Sequence, residues 1–202
     1  MAPNDLEAVN RALFLFIDAT PATPAFFIDI ATAIANGLIG SIPLMLACLW
    51  LSGDPRLRET ALKACVVTLA ALGANQLIGL AWPHPRPFVI GLGHTFIAHA
   101  PDSSFPSDHG TVFAAVCIVL LERGMMRLGA ATLVGGVAVA WARIFLGVHF
   151  PLDMIGAVGV TAAVYGVVSP IWKRAGAPLT QVAVGAHRRL LAAPIRLGWL
   201  RP

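Results

Sequence analysis

Charged residues are scarce in this sequence: 12% of its 202 residues, against 57% hydrophobic, with a mean hydropathy of +0.78. Soluble domains carry about 25% charged residues, so this composition excludes a fold surrounded by water on all sides. Cysteine is scarce too, and Cys48, Cys65 and Cys117 stand singly inside apolar runs. With no CxxC and no Cys/His pairing, neither a disulfide framework nor a zinc site is expected, and all three read as small packing residues. The opening MAPNDL lacks a basic cluster and a Pro-containing break follows at 19–24, so no cleaved signal peptide is expected. Basic residues are not interleaved with aromatics along one face, which argues against nucleic acid as a partner despite a net charge of +4 and a pI near 9.5. Internal repeats and low-complexity segments are also lacking.

What is there is a series of long apolar runs. A bilayer core about 30 Å thick needs roughly 20 apolar residues per helix. Spans are expected at 25–51, 60–82, 107–121, 129–148 and 152–172. Residues 6–17 are too short to span and mix Glu7, Asn10 and Arg11 with Leu, Phe and Ile, which reads as an interfacial helix. A loop rich in Pro, His, Gly and Ser covers 83–106, and a basic tail follows 172 as an expected surface helix. The fold class predicted is an all-α polytopic bundle of about five spans, one membrane domain over 1–202.

Five spans put the links at 52–59 and 122–128 and the tail on one side, and the long loop and the corner at 143–153 on the other. Eleven basic residues fall on the first side: Arg56, Arg58, Lys63, Arg123, Arg127, Lys173, Arg174, Arg188, Arg189, Arg196 and Arg201. Only Arg11, Arg86 and Arg143 lie elsewhere. By the positive-inside rule the loop and corner face outward. Cations on the outer side are costly unless an anion is bound, so Arg86 and Arg143 become functional candidates.

Three segments on that side carry the chemistry: PHPRPF at 83–88, FPSDHG at 105–110 and ARIFLGVHFPLD at 142–153. Pro151 suits the first turn of a helix, which puts His149 just outside a helix N-terminus with Asp153 in reach. A carboxylate on one ring nitrogen fixes the tautomer and frees the other nitrogen to attack. Alone, the pattern also fits a surface His and an Asp that complements the helix dipole. In the second segment Pro106 opens a span with Ser107, Asp108, His109 and Gly110 in its first turn. Unpaired amides at such an end form an anion site, Ser107 adds a hydroxyl, and His109 is placed to exchange protons. The competing reading is a polar helix cap. In the first segment Arg86 stands between two prolines that limit where its planar fork points, and that fork suits phosphate oxygens. Together the three segments meet the needs of in-line phosphoryl transfer with no metal and no cofactor.

The set Arg86-Pro87, Pro106-Ser107-Asp108-His109, and Arg143 with His149 and Asp153 resembles the three-part signature of the type 2 phosphatidic acid phosphatase superfamily, which also includes vanadium haloperoxidases. More narrowly, the runs DSSFPSDHGT, LGVHFPLDM and GWLRP are similar to those of bacterial undecaprenyl-diphosphate phosphatases, and the resemblance covers nearly the whole chain. It implies His149 as nucleophile forming a phosphohistidine, Asp153 as its orienting partner and His109 as acid and base. Arg86, Ser107 and Arg143 are implied as phosphate ligands, with Asp108 placed among the phosphate-binding set. The implied reaction is hydrolysis of undecaprenyl diphosphate to undecaprenyl phosphate and phosphate at the outer face of a bacterial inner membrane, with a link to bacitracin tolerance. Its implied partners are an isoprenoid lipid diphosphate and membrane lipids. Alternatives are a phosphatidic acid or phosphatidylglycerol phosphate phosphatase, a lipid phosphotransferase, and a carrier-lipid flippase, which would not need an aligned His and Asp.

The chain departs from the general pattern at Gly79, where a Lys is usual, at Ala142, where Ser is usual, and at Asp108, where Gly is common. Asn75 and Gln76 are the candidates to compensate for the missing Lys. His84, His94 and His99 read as loop hydrogen-bonders or lipid-phosphate neighbours, Asp102, Ser103 and Ser104 as residues that order the turn before Pro106, and Asp29 and Asn36 as candidates to line a cavity, with the interface as the alternative place for Asp29.

Overall fold

The computed structural model describes residues 3–199 and 201; Met1, Ala2, Leu200 and Pro202, which belong to the MAPNDL and GWLRP runs, lie outside the described residues. Regular structure among the described residues is entirely helical: α1 (Pro3–Ile17), α2 (Ala25–Gly37), α3 (Ser41–Leu51), α4 (Pro55–Ala81), α5 (Asp108–Glu122), α6 (Met126–Phe145), α7 (Pro151–Leu190) and α8 (Ala192–Arg196). A 3₁₀ turn at Leu38–Gly40 joins α2 to α3, so the two form the single predicted run Ala25–Leu51.

Among the described residues, four helical runs are long and apolar enough to cross a bilayer: Ala25–Leu51, Pro55–Ala81, Met126–Phe145 and Pro151–Leu190. The predicted span at 107–121 is the exception. Helix α5 has 15 residues, about 22 Å at 1.5 Å per residue, short of a 30 Å core. It can be short because other helices sheathe it. Helices α4, α6 and α7 all pack on it, and Thr111, Phe113, Ala115, Val116, Cys117, Val119 and Leu120 are buried in those contacts. Val67, Val116, Val119, Leu120 and Val139 sit in the largest apolar cluster, between α4, α5 and α6. The bundle therefore presents lipid with its outer helices and keeps the polar end of α5 inside protein.

The second difference is at the C-terminal side. The sequence suggested a span ending near 172 and a separate basic tail, whereas α7 runs on for 40 residues through Pro170 and Pro178. Proline inside a helix removes a backbone donor and crowds the preceding turn, so side-chain anchors matter here. Lys63 Nζ donates to Ser169 Oγ at 3.1 Å and Trp172 Nε1 to Glu59 Oε1 at 3.1 Å, holding this part of α7 to α4.

At one end of the bundle the C-termini of α4 and α6 meet the N-termini of α5 and α7. The connecting backbone is stitched together there by Ala19 N–H to Phe145 O at 2.9 Å and Phe96 N–H to Leu146 O at 3.2 Å. Gly147 has φ +79°, and a Cβ on it would fall 1.8 Å from His94 O, so only glycine lets the corner and the outer loop touch. Helix α1 lies against this end as the interfacial helix expected. Its Phe14 is fully buried edge-on to Phe150 at 5.3 Å while Phe16 is 88% exposed.

Asp18, just after α1, accepts the His94 amide at 2.8 Å but leaves Oδ1 buried without a partner. Burial pushes its carboxyl up to about 6. A folded-state value above the ordinary one means that the charged form is penalised by folding. The cost is absent at pH 4, grows as pH rises and is complete above about 6. Asp18→Asn keeps an acceptor for His94 without the charge. Its melting temperature in detergent should therefore exceed that of the parent at pH 8 and match it near pH 4; equal differences at both pH values would contradict this account.

Candidate active site

The polar end of the bundle encloses a cavity of about 280 Å³ whose lining includes Asn75, Gln76, Gly79, Arg86, His99, Asp102, Asp108, His109, Arg143 and His149. All three sequence segments converge on it. Asp29 and Asn36 do not; both are exposed on α2.

His149 lies in the corner between α6 and α7 and is 2% exposed. Pro151 opens α7 with its fixed φ, and Asp153 in the first turn reaches back, its Oδ2 accepting the Phe150 amide at 2.8 Å. The same oxygen lies 3.2 Å from His149 Nδ1. An ionised carboxylate only accepts, so Nδ1 carries the proton and Nε2 keeps its lone pair. Nε2 faces Ser107 Oγ at 3.5 Å and Arg86 Nη1 at 3.1 Å. Burial first, then the Arg86 and Arg143 charges, hold the His149 imidazole well below its ordinary range, so it is neutral and nucleophilic. It is a buried base at the edge of a cationic cavity.

Arg86 is 4% exposed, and three acceptors orient its guanidinium: Asp102 Oδ1 to Nε at 2.8 Å, Val148 O to Nη1 at 2.9 Å and Ser103 O to Nη2 at 3.2 Å. Arg143, in the last turn of α6, has Nη1 3.4 Å from His109 Nε2 and a buried Nε without a partner. A buried cationic donor left unpaired is costly, and an anionic oxygen would satisfy it.

Ser107 caps α5: its Oγ accepts the Gly110 amide at 3.4 Å and its carbonyl the Thr111 amide at 2.9 Å. That leaves the amides of Asp108 and His109 without intrahelical acceptors, the usual setting for an anion at a helix start. The Asp108 carboxylate is otherwise engaged. It accepts Asn75 Nδ2 at 2.9 Å and Gln76 Nε2 at 3.4 Å, so the backbone amide of Asp108, rather than its side chain, is left open to an anion. Asn75 and Gln76 likewise bind Asp108 in the position where the sequence left them as substitutes for a lysine. Gly79 lies on the cavity wall, with Ser103 Cβ 3.3 Å from where its own Cβ would be.

Asp102, His99 and Ser104 join the site from the outer loop. Asp102, read as a turn residue, anchors Arg86. His99 lines the cavity with its ring 6.2 Å from that of His149, and burial pulls its imidazole below the ordinary value. Ser104 is fully buried, with its hydroxyl 3.2 Å from His84 Nδ1 and its side chain toward the Asp153 carboxylate. His94 stays a loop residue, bonded through its amide to Asp18. These pairings join residues far apart in sequence and leave no periodic trace.

A neutral buried histidine with its second nitrogen on a carboxylate, two arginines and a free helix start can attack phosphorus and hold the phosphoryl oxygens. The model of the PAP2 superfamily matches residues 60–177, which contain all three segments. The chain is 39% identical over 198 residues to "Putative undecaprenyl-diphosphatase YbjG" of Escherichia coli (strain K12), covering 97% of this chain and 99% of that one. It is 37% identical over 158 residues to undecaprenyl-diphosphatase BcrC of Bacillus subtilis (strain 168), covering 78% and 81%. A crystal structure of a transmembrane PAP2 type phosphatidylglycerolphosphate phosphatase from Bacillus subtilis shares the fold, with a TM-score of 0.64 at 16% identity over 86% of this chain and 89% of that one. In motif, in length and in the arrangement of its helices, this chain belongs to the PAP2 superfamily.

Proposed function

We propose that this protein hydrolyses undecaprenyl diphosphate to undecaprenyl phosphate and inorganic phosphate through a phosphohistidine on His149. The observation that carries the chemistry is the buried His149, with Nδ1 on Asp153 and Nε2 turned to Ser107 and Arg86. The substrate class is supported by the names of the two bacterial relatives, aligned over most of this chain.

In the first half-reaction the His149 Nε2 lone pair forms a bond to the terminal phosphorus. The bond from that phosphorus to the bridging oxygen breaks, and its electron pair leaves with undecaprenyl phosphate. Arg86, Arg143, Ser107 and the first amides of α5 hold the equatorial oxygens. In the second, His109 takes a proton from water as the water oxygen attacks the phosphohistidine. The P–N bond breaks, its electrons return to Nε2, and phosphate departs. His109 Nε2 lies beside the Arg143 guanidinium, which favours the neutral ring with its lone pair on that nitrogen.

The lipid has a place to go. A largely apolar cavity of about 400 Å³ between α5, α6 and α7 begins at Gly110 and Met154, which directly follow His109 and Asp153. An isoprenoid chain fits such a wall, and the bilayer beside it supplies the rest.

Phosphate release by purified protein in detergent tests the reading, with undecaprenyl diphosphate set against phosphatidic acid. The diphosphate should be cleaved faster; preference for phosphatidic acid would overturn the substrate assignment, and no release from either would overturn the enzyme. The two histidines separate in the same assay. His149→Ala should form no phosphoenzyme, whereas His109→Ala should turn over about 10²- to 10⁴-fold more slowly and accumulate acid-labile phosphohistidine, because a phosphate leaving group needs little protonation. Label trapped in His149→Ala, or mapped to His109, would reverse the roles.

We also place the site on the outer face of the bacterial inner membrane, on the sidedness of the basic residues. A single cysteine introduced at exposed Ala98, with Cys48, Cys65 and Cys117 replaced, should react with an impermeant maleimide in intact spheroplasts. Gly93 in the same loop is unsuitable, since its φ of +68° and the nearby Asp18 and Phe14 exclude a side chain. Labelling only after lysis would invert the topology.

A further inference from the structure

Asp153 is 1% exposed, and the hydrogen bonds around it extend beyond the His149 pair. Behind it lies fully buried Ser104, whose side chain faces the Asp153 carboxylate. Ser104 Oγ is in turn 3.2 Å from His84 Nδ1. The backbones fix this pairing, because the Ser104 amide donates to His84 O at 2.8 Å and the His84 amide to Ser103 Oγ at 3.1 Å. The His84 ring is also held edge-on by Phe150 at 5.8 Å and Trp82 at 5.9 Å. On its other side is a separate cavity of about 470 Å³, lined by Glu7, Asn10 and Arg11 of α1 together with His84, Leu152 and Asp153. That cavity does not include His149, Arg143 or His109.

Counting protons fixes the direction of the chain. An ionised carboxylate accepts only, and a serine hydroxyl has one proton to give. If Ser104 gives its proton to Asp153, its oxygen can only accept from His84, so His84 must carry its proton on Nδ1. We propose that His84 and Ser104 are positioning residues for the nucleophile, forming with Asp153 a one-way chain of donors, His84 Nδ1–H to Ser104 O–H to the Asp153 carboxylate, that meets the Nδ1–H of His149. Neither touches substrate. The chain pins the carboxylate so that the His149 tautomer with a free Nε2 is the one present at attack. Helix α1 takes part from behind: Asn10 Oδ1 accepts the Leu152 amide at 3.1 Å and Asn10 Nδ2 donates to Glu7 at 3.4 Å, which closes the far wall of the second cavity.

This proposal rests on His149 as nucleophile and is tested by rapid-quench measurement of phosphoenzyme formation on undecaprenyl diphosphate. His84→Ala and Ser104→Ala should each slow that step by about tenfold, the worth of one hydrogen bond, with KM unchanged. The double variant should be no slower than Ser104→Ala, because both changes cut one chain. His84→Asn places an amide N–H where Nδ1–H stood and should restore the rate to within about twofold of the parent, whereas His84→Gln, whose amide reaches the Nε2 position, should not. A structural role for His84 would give losses that add in the double variant, or Asn no better than Gln, and either result overturns the proposal. His149→Ala, run in parallel, keeps the two readings apart. If it traps label, the nucleophile assignment falls and the chain with it; if it stays empty while the losses add, only the chain falls.

Discussion

A single oxygen, Asp153 Oδ2, serves two donors at once: the Phe150 amide that begins α7 and Nδ1 of His149. Helix capping and nucleophile alignment are therefore one interaction, and neither can shift without the other. A carboxylate this buried is tolerable only when its lone pairs are taken. The rest of the polar end of the bundle follows from meeting that requirement. Ser104 approaches from the outer loop, the Leu152 amide beside it is taken by Asn10 of α1, and Phe14 closes over Phe150. The interfacial helix, distant from the motifs in sequence, is thereby part of the base of the site.

Charge is handled differently at the two ends. Away from the site, buried Lys63 Nζ lies 2.7 Å from Glu122 Oε2, and half-buried Arg123 pairs with Glu59. At the site Arg143 has no carboxylate in ion-pair contact among the described residues, and its Nε is left open. In a low-dielectric setting an unmatched cation attracts an anion strongly. Arg143 therefore offers an anion an open cationic donor, beside a helix start that adds two free amides.

The sequence reading worked where short-range pattern carries physical meaning. Pro151 before Asp153, Pro106 before Ser107 and Arg86 between prolines each stiffen a helix start or a loop, and all three segments reach one cavity. It fell short where the decisive partner is far along the chain. Asp102 on Arg86, Ser104 on Asp153 and Asn75 on Asp108 are side-chain pairings with no period and no motif. Length was misjudged for related reasons. The expected span ends near 172, but α7 continues through Pro170 and Pro178, held to α4 at Ser169 and Trp172, and α5, short of a bilayer by its own length, is sheathed by its neighbours.

The departure at Gly79 becomes intelligible from the geometry. Where a lysine is usual in the family pattern, Ser103 packs against a bare backbone, and the nearby amides of Asn75 and Gln76 hold Asp108. This wall of the cavity contributes no cation, so on the proposed mechanism the phosphoryl group would be met by Arg86, Arg143 and the start of α5. A monoester expels an alkoxide, on which charge builds steeply in the transition state. A diphosphate expels a phosphate, which spreads that charge over its own oxygens and needs less help from the protein. A site reduced to two arginines is thus better matched to breaking an anhydride than an ester, and this physical argument favours the lipid diphosphate independently of any relative's name.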